Sequence, residues 1–175
     1  GYLAERGDVQ AALEDAFEDD VGRISLVGGA AYEFDSPVVI PPGVLLDCSG
    51  AHIDLGADVN AFELHTQSQV VNPTVRTSHI DGYSSSIFHV HPAQFGEQFG
   101  TNRPVPNWTV FGGWSEMTPG EGTCIELHGK RENPNREYKV TRDNRNVYFC
   151  FVSHNCNGGR RFAYLHREGG ETTRG

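Results

Sequence analysis

A four-residue motif occurs four times in this chain: an apolar residue, any residue, an apolar residue and a histidine. The copies occupy residues 62–65, 88–91, 125–128 and 163–166. Apolar residues at every second position are typical of a β-strand with one buried face. The motif therefore predicts four short strands in equivalent places of one fold.

The spacing of the motif indicates a repeating architecture. Its histidines, His65, His91, His128 and His166, follow one another at intervals of 26, 37 and 38 residues. A strand-forming unit that returns every two or three dozen residues is typical of repeat folds. We therefore consider a repeat architecture before any other.

Composition limits the size and the partners of the protein. At 175 residues the chain is long enough for one domain with a substantial core, and we expect a single domain over residues 1–175. The formal net charge of −9 disfavours nucleic acid and anionic membranes as partners. No apolar run is long enough for a membrane-spanning helix. Because the first residue is not Met, we expect a segment of a longer protein.

The cysteine pattern does not indicate a cofactor. Cys48, Cys124, Cys150 and Cys156 form no C-x-x-C pair, which argues against a zinc ribbon or a thioredoxin-type site. Cys124 and Cys150 lie in strand-like runs, where a free thiol is usually a small core residue. A disulfide is the alternative, but the sequence does not assign its pairing.

An amphipathic helix is predicted over residues 8–19. Asp8 is a good N-cap residue because its carboxylate accepts hydrogen bonds from free backbone N–H groups. Apolar residues then follow at helical spacing along one stripe: Val9, Ala12, Leu13, Ala16 and Phe17. This stripe predicts a helix that covers an apolar surface.

Residues 21–94 alternate as strands of three to five residues between Gly, Pro, Asn and Asp. An antiparallel sandwich and a parallel β-helix are both compatible with such short strands. An antiparallel sandwich favours tight hairpins of the Asn-Gly or Asp-Gly kind, and the chain has only two such dipeptides, Asp81-Gly82 and Asn157-Gly158. The helix at 8–19 is also placed to cover the open end of a β-helix. We therefore predict an all-β parallel β-helix, or solenoid, with an N-terminal capping α-helix.

Two segments interrupt this pattern. Residues 95–122 are rich in Gly, Pro and Asn, and residues 129–145 are charged and poor in strand formers. Both are predicted as loop excursions from the stack. The strand pattern returns over residues 123–170, which we assign to later coils.

The order of elements near the N-terminus resembles a known superfamily. The residues that carry the likeness are 8–13, 22–26, Tyr32 and 36–46. They are similar to the capping helix and first coils of right-handed parallel β-helix proteins of the pectate-lyase-like superfamily. That group includes polysaccharide lyases and hydrolases, and the tailspikes and surface proteins of viruses.

The resemblance implies a right-handed coil and, by analogy with the viral members, a homo-oligomer such as a trimer. It also implies which acidic residues an enzyme of this fold would have. Hydrolases of the group have Asn-Thr-Asp and Asp-Asp pairs on neighbouring coils, and lyases have clustered aspartates for calcium. The predicted coils contain neither: Asp47, Asp54, Asp58 and Asp81 are scattered, each beside a turn. We therefore expect no catalytic site in this segment, although dispersed residues could still form one.

Alternation assigns a direction to the motif side chains. The apolar positions point inward, whereas Glu63, His89, Glu126 and Tyr164 form one outward row. His65, His91, His128 and His166 form the next outward row, which could bind a metal or respond to pH. The simpler interpretation is that histidine is tolerated at the polar end of a strand.

Aromatic residues suggest a sugar-binding surface. Trp108, Phe111, Trp114 and Tyr83 could stack on a glycan, and Glu63 and Glu126 are further candidate ligand-binding residues. The simpler interpretation is that the aromatic rings anchor the segment 95–122 onto the stack.

Three functions follow from these observations. The first is a non-enzymatic structural or attachment protein of a virion surface, such as a tailspike, fibre or turret component. Its partners would be further copies of the chain, other virion proteins or a cell-surface polysaccharide. The second is a polysaccharide lyase or glycoside hydrolase, and the third is a secreted cellular adhesin.

Overall fold

The computed structural model describes residues 2–4, 9–65, 67–90, 107–129 and 148–167, with side chains for 9–65, 67–90, 109–126 and 153–163. These ranges contain one α-helix and fourteen β-strands. In chain order the elements are β1 (Tyr2–Ala4), α1 (Val9–Glu18), β2 (Arg23–Leu26), β3 (Ala31–Phe34), β4 (Val38–Ile40), β5 (Leu45–Asp47), β6 (His52–Leu55), β7 (Phe62–Leu64), β8 (Gln69–Val71), β9 (Thr74–Arg76), β10 (Ser86–Val90), β11 (Asn107–Phe111), β12 (Trp114–Gly129), β13 (Tyr148–Val152) and β14 (Asn155–Arg167).

The strands form two sheets. The six-stranded sheet has the order β1-β2-β5-β8-β11-β13, and the eight-stranded sheet has the order β3-β6-β9-β12-β10-β7-β4, with β14 beside β12. Every described pairing, from β1 with β2 to β6 with β9, is parallel. The predicted all-β class is therefore confirmed as parallel sheets with one short helix.

The long strand β12 joins the two halves of the eight-stranded sheet. Its first residues, 114–116, pair with β9, and its later residues, 123–127, pair with β10. Strand β14 follows β12 along both halves, with register shifts between Glu116 and Thr123. Each half therefore grows by one strand on each pass of the chain.

We call each pass of the chain a rung. The rungs are residues 23–40, 45–64, 69–90, 107–129 and 148–167, numbered 1 to 5. Each begins with a strand of the six-stranded sheet and continues into the eight-stranded sheet. Because neighbouring rungs pair strand by strand, a residue in one rung lies directly beside its equivalent in the next.

The four copies of the histidine motif occupy equivalent places, as predicted. Phe62 is the Cα partner of Phe88, Phe88 of Ile125, and Ile125 of Ala163. Residues 38–40 fill the same place in rung 1 without a histidine. The motif spacing therefore equals the spacing of the rungs along this half of the sheet.

Most described apolar motif positions point inward, as predicted. Phe62, Leu64, Phe88, Val90 and Ile125 are at most 3 % exposed. Ala163 is exposed, in contrast to the prediction, because it lies on the outermost described strand and no described strand covers it. The side chains of residues 127 and 165 lie outside the described side chains.

The predicted helix is present as α1. Its apolar stripe is buried at Val9, Leu13 and Ala16, and it packs against β1, β2 and β4. The side chain of Gln10 accepts a hydrogen bond from the backbone N–H of Val39 at 2.8 Å. The helix therefore covers the apolar side of rung 1, whereas the preceding strand β1 was not predicted.

Aromatic rings stack inside rungs 1 to 3. The centroids of Phe62 and Phe88 lie 5.6 Å apart with nearly parallel planes, and Phe34 meets Phe62 edge-on at 6.0 Å. All three side chains are buried. Burial of each contributes about 1.5–3 kcal/mol of transfer free energy, so this column is a main source of stability for these rungs.

The prediction of a loop excursion over 95–122 is wrong for its described part. Asn107–Phe111 forms β11, and Trp114–Gly129 forms β12. Gly112 and Gly113 have φ angles of 68° and 85°, and they form the corner between the two sheets. A β-carbon on Gly113 would lie 2.2 Å from the carbonyl oxygen of Pro73, so these glycines serve a tight corner instead of a long loop. Residues 91–106 and 130–147, with nearly all of the second predicted excursion, lie outside the described residues.

Candidate functional site

Three polar side chains lie side by side on the outer face of the eight-stranded sheet. Glu63 on β7, His89 on β10 and Glu126 on β12 are direct Cα partners in neighbouring rungs. We call these three residues the outward row. Parallel strands lie about 4.8 Å apart, so Glu63 and Glu126 are about 10 Å apart at the backbone with His89 between them.

These side chains point outward because they alternate with buried side chains along each strand. Phe62 and Leu64 flank Glu63, and Phe88 and Val90 flank His89; all four are buried. Successive side chains of a strand point to opposite faces. The side chains of His89 and Glu126 remain 15 % and 22 % exposed, so solvent reaches the row.

The carboxylate of Glu126 is the centre of a polar network. Its Oε2 atom accepts a hydrogen bond from Ser86 Oγ at 2.8 Å and lies 3.8 Å from Nδ1 of His89. A protonated His89 would therefore form an ion pair with Glu126, and Ser86 holds the carboxylate in place.

A second set of contacts supports Glu63. Asn60 donates from Nδ2 to Glu63 Oε1 at 3.4 Å, and its Oδ1 accepts from the backbone N–H of Ser86 at 3.0 Å. Asn60 thus ties the Glu63 end of the row to the strand that carries His89. The row is held by contacts between rungs, which limits the movement of its side chains.

The sequence-based prediction missed Asn60 and Ser86. Both lie two residues before a copy of the histidine motif, and Thr123 and Arg161 hold the same position in the later copies. Ser86, Thr123 and Arg161 are register partners in successive rungs. A polar residue at this position in all four copies was the signal that could have identified them.

The predicted histidine row does not form as expected at its first member. His65 is 6 % exposed and therefore does not stand in an outward row; its carbonyl oxygen accepts hydrogen bonds from Ser68 Oγ at 2.7 Å and from the Ser68 N–H at 3.0 Å. His128 and His166 are Cα partners, although their side chains lie outside the described ones, and His91 lies outside the described residues. Across the described part of the chain no cluster of three or more His, Cys, Asp or Glu residues could hold a metal ion.

The predicted aromatic surface is divided between different places. Tyr83 is 1 % exposed and donates from its hydroxyl to the carbonyl of Val59, so it is a core residue that cannot stack on a sugar. Phe111 is 50 % exposed on β11, in the other sheet from the outward row. Trp114 begins β12 and is partly buried, and the side chain of Trp108 lies outside the described ones. Tyr83 and Phe111 therefore do not provide aromatic stacking next to the outward row.

The scattered aspartates have structural partners. Asp47 pairs with Arg23, and Asp54 accepts from Arg76 Nε at 2.8 Å. Asp58 accepts hydrogen bonds from the backbone N–H groups of Ser84 and Ser85 at 3.0 Å each. Burial alone would raise the pKa of Asp58, but these hydrogen bonds outweigh it and lower the pKa below the usual value. The lowered pKa keeps the Asp58 carboxylate ionised, and its hydrogen bonds hold the loop at Ser84 and Ser85 in place.

A second polar cluster lies inside rungs 4 and 5. His154 Nδ1 is 2.9 Å from the carbonyl oxygen of Gly112, and His154 Nε2 is 3.0 Å from Ser115 Oγ. Burial lowers the pKa of His154 below its usual value, which favours the neutral ring. Because a carbonyl only accepts, Nδ1 carries the proton and Nε2 accepts from the Ser115 hydroxyl. Ser115 is fully buried, whereas His154 is partly exposed.

No protein-family model, no curated protein and no solved structure matches this chain. Of the helical segments in the described ranges, none has the length and apolar character needed to cross a membrane.

Proposed function

We propose that this chain is a right-handed parallel β-helix of a virion surface and that its outward row, Glu63, His89 and Glu126, binds a glycan. The β-helix is supported by the parallel pairing of every rung with the next and by the helix α1 over rung 1. Crossovers between parallel strands are right-handed in about 98 % of cases, which favours the right-handed form.

The observation that carries the proposal is the direct register of the outward row. Two carboxylates and an imidazole stand on three adjacent strands, and Ser86 and Asn60 hold the carboxylates in place. Sugar hydroxyls donate well to fixed carboxylates, and the imidazole can donate or accept. Such groups form a line about 10 Å long at the backbone, along which an extended glycan chain can lie.

Glycan binding can be tested with a matched pair of variants. We expect Glu126→Gln to weaken binding to a responsive polysaccharide about tenfold, because a charge-assisted hydrogen bond contributes about 1.5–3 kcal/mol. Glu116→Gln is the control, since Glu116 lies on the same strand but pairs with Arg76 on the other half of the sheet. Calorimetric titration against a panel of neutral and acidic polysaccharides measures both. Equal affinity of the two variants, or no binding by wild type, would contradict the proposal.

Placement on a virion and assembly into a homo-oligomer, a trimer by the resemblance, are part of the same proposal. The partners would be other copies of the chain or other virion proteins, and the location would be a virion surface or another extracellular surface. Light scattering on the purified protein measures the oligomer. A strict monomer at all concentrations would exclude the homo-oligomer.

A second function is favoured by the spacing of the two glutamates. Inverting glycoside hydrolases place their two carboxyl groups about 6.5–9.5 Å apart with room for a water molecule. Glu63 and Glu126 lie two strands apart, close to that range at the backbone. Release of reducing ends by wild type, abolished in both Glu63→Gln and Glu126→Gln, would establish hydrolysis. Binding without product release would leave attachment as the function.

A further inference from the structure

Two cysteine thiols meet inside rungs 4 and 5. The thiols of Cys124 and Cys156 hydrogen-bond to each other, and each hydrogen-bonds with Ser115. Cys124 is fully buried, whereas Cys156 is partly exposed. The two residues are 32 positions apart in the chain, so only the stacking of the rungs brings them together.

The bend of β12 explains how they meet. Ser115 and Cys124 lie on the two halves of β12, on either side of the register shifts between Glu116 and Thr123, and both are fully buried. Cys156 on β14 is the Cα partner of Ser115. The side chain of Cys156 therefore enters the same corner of the interior from the next rung.

The surroundings make the two thiols chemically unequal. The hydrogen bond from Cys124 lowers the pKa of Cys156, and the same hydrogen bond raises the pKa of Cys124. A partly exposed thiolate beside a buried, protonated thiol is the arrangement of an attacking and a resolving cysteine. Cys48 lies in rung 2, where it is fully buried and burial raises the pKa of its thiol.

We propose that Cys124 and Cys156 form a reversible disulfide that links β12 to β14 and fastens rung 5 to rung 4. The oxidant is a low-molecular-weight disulfide of the glutathione class. The inference is independent of glycan binding, since the thiols lie in the interior and the outward row lies on the outer face.

The exchange proceeds in two balanced steps. The Cys156 thiol first gives its proton to solvent, and the resulting thiolate attacks one sulfur of the oxidant, forming a mixed disulfide and releasing one thiolate. The Cys124 thiol then transfers its proton to the released thiolate and attacks the sulfur of Cys156, displacing the second thiolate, which takes up a proton from solvent. The protein loses two electrons and two protons, and the oxidant is reduced to two thiols.

The hydrogen bond between the two thiols is the contact from which the disulfide forms. A disulfide needs an S–S distance of about 2.05 Å, and rotation about the Cα–Cβ bonds moves the sulfurs toward it, whereas the backbone sets the separation of the β-carbons, about 3.8 Å in a disulfide. The bond closes a loop of about 33 residues, and such a cross-link raises the Tm of a chain this size by about 5–10 °C.

The test is a peptide map of the intact chain. Wild-type protein is incubated with oxidised glutathione, blocked with N-ethylmaleimide, digested and analysed by mass spectrometry without reduction. We expect a peptide pair linked through Cys124 and Cys156, a higher Tm than that of the reduced protein, and reversal of both by dithiothreitol.

Single variants separate the roles of the two thiols. Cys124→Ser should accumulate glutathione on Cys156, Cys156→Ser should leave Cys124 unmodified, and the control Cys48→Ser should form the link as wild type does. Melting curves of the reduced variants establish that each is folded. Folded wild-type protein without the link, or with a link to Cys48 or Cys150 in its place, would overturn the proposal, and this outcome does not depend on any variant.

Discussion

The interior of rungs 2 and 3 differs in kind from the interior of rungs 4 and 5. The earlier rungs are filled mainly by apolar side chains, with Phe62 and Phe88 stacked at 5.6 Å, although Cys48, Thr77 and Ser86 are also buried there. The later rungs place polar and sulfur-bearing groups beside the apolar ones, namely Ser115, Cys124, His154 and Cys156. One parallel framework therefore accommodates two kinds of interior.

The difference shows what each kind of interior can do. Apolar packing is not directional, so it stabilises the rungs without requiring one partner for each atom. A buried polar group must find its hydrogen-bond partner, so the later interior specifies an orientation for each side chain. The two kinds of interior are in direct contact at Phe88 of rung 3. Its ring meets the ring of His154 edge-on, with the centroids 5.1 Å apart.

The largest effect is expected from removing the ring of Phe88. Phe88→Ala should lower the free energy of unfolding by about 3–5 kcal/mol, because it deletes a fully buried ring and leaves a cavity between two neighbours. Phe111→Ala, on a side chain that is 50 % exposed, is the control and should cost less than half as much. Urea denaturation measures both. Equal losses would mean that the apolar column is not the main source of stability.

The corner that leads into rung 4 should be the next most sensitive position. Gly113→Ala places a β-carbon 2.2 Å from the Pro73 carbonyl oxygen at a φ of 85°, and we expect a loss of about 3 kcal/mol or more. Gly43→Ala has a similar φ of 76° but no atom within 4 Å, so it should cost about 1 kcal/mol. Thermal melts compare the two variants. A milder effect at Gly113 than at Gly43 would contradict the close approach of the rungs.

The polar interior predicts a dependence of stability on pH. Burial lowers the pKa of His154 in the folded protein, so below the unfolded value of about 6.5 the unfolded chain binds more protons. Stability should therefore fall as the pH drops from 7 towards 5. His154→Gln, which can keep a hydrogen bond but does not titrate, should lose less stability over that interval. Urea midpoints at several pH values test this, and parallel curves for the two proteins would contradict it.

The smallest effect is expected at the loop carboxylate Asp58. Its folded pKa is lowered, so its contribution is present above the unfolded value of about 3.9 and is lost as the pH falls through the folded value. Asp58→Asn should cost about 1 kcal/mol at pH 7, because the loop is exposed and the hydrogen bonds are partly replaced by water. The difference from wild type should shrink below pH 4. Asp81→Asn, at an exposed position, is the control.

Several elements followed directly from the sequence. The helix α1 lies within the predicted range 8–19, and the four motif copies pair with one another as their alternation indicated. The prediction for residues 107–122 failed because glycine and proline were taken as signs of a long loop. In the structure Gly112 and Gly113 turn one tight corner between two strands.

The candidate site was predictable only in part. Glu63 and Glu126 were named because they occupy the middle of a motif copy, and the structure places them in one row with His89. Asn60 and Ser86, which hold them, required the register between rungs. Tyr83 was predicted to belong to an exposed aromatic surface. The alternation of apolar residues along strands gives no sign that this loop residue is covered by a neighbouring rung.

The sequence by itself determined local features. These are the residues that form strands, the apolar face of each strand, and the four occurrences of one motif. These follow from the two-residue period of a strand, which requires no knowledge of distant residues. The tertiary structure decided which polar groups meet, including Ser115 with His154 and Cys124 with Cys156. The interval between paired residues grows from 22 to 41 along the six-stranded sheet, from the pair Tyr2 and Ile24 to the pair Asn107 and Tyr148. Contacts between rungs therefore depend on how the fold accommodates passes of unequal length. The local periodicity of the sequence carries no information about that.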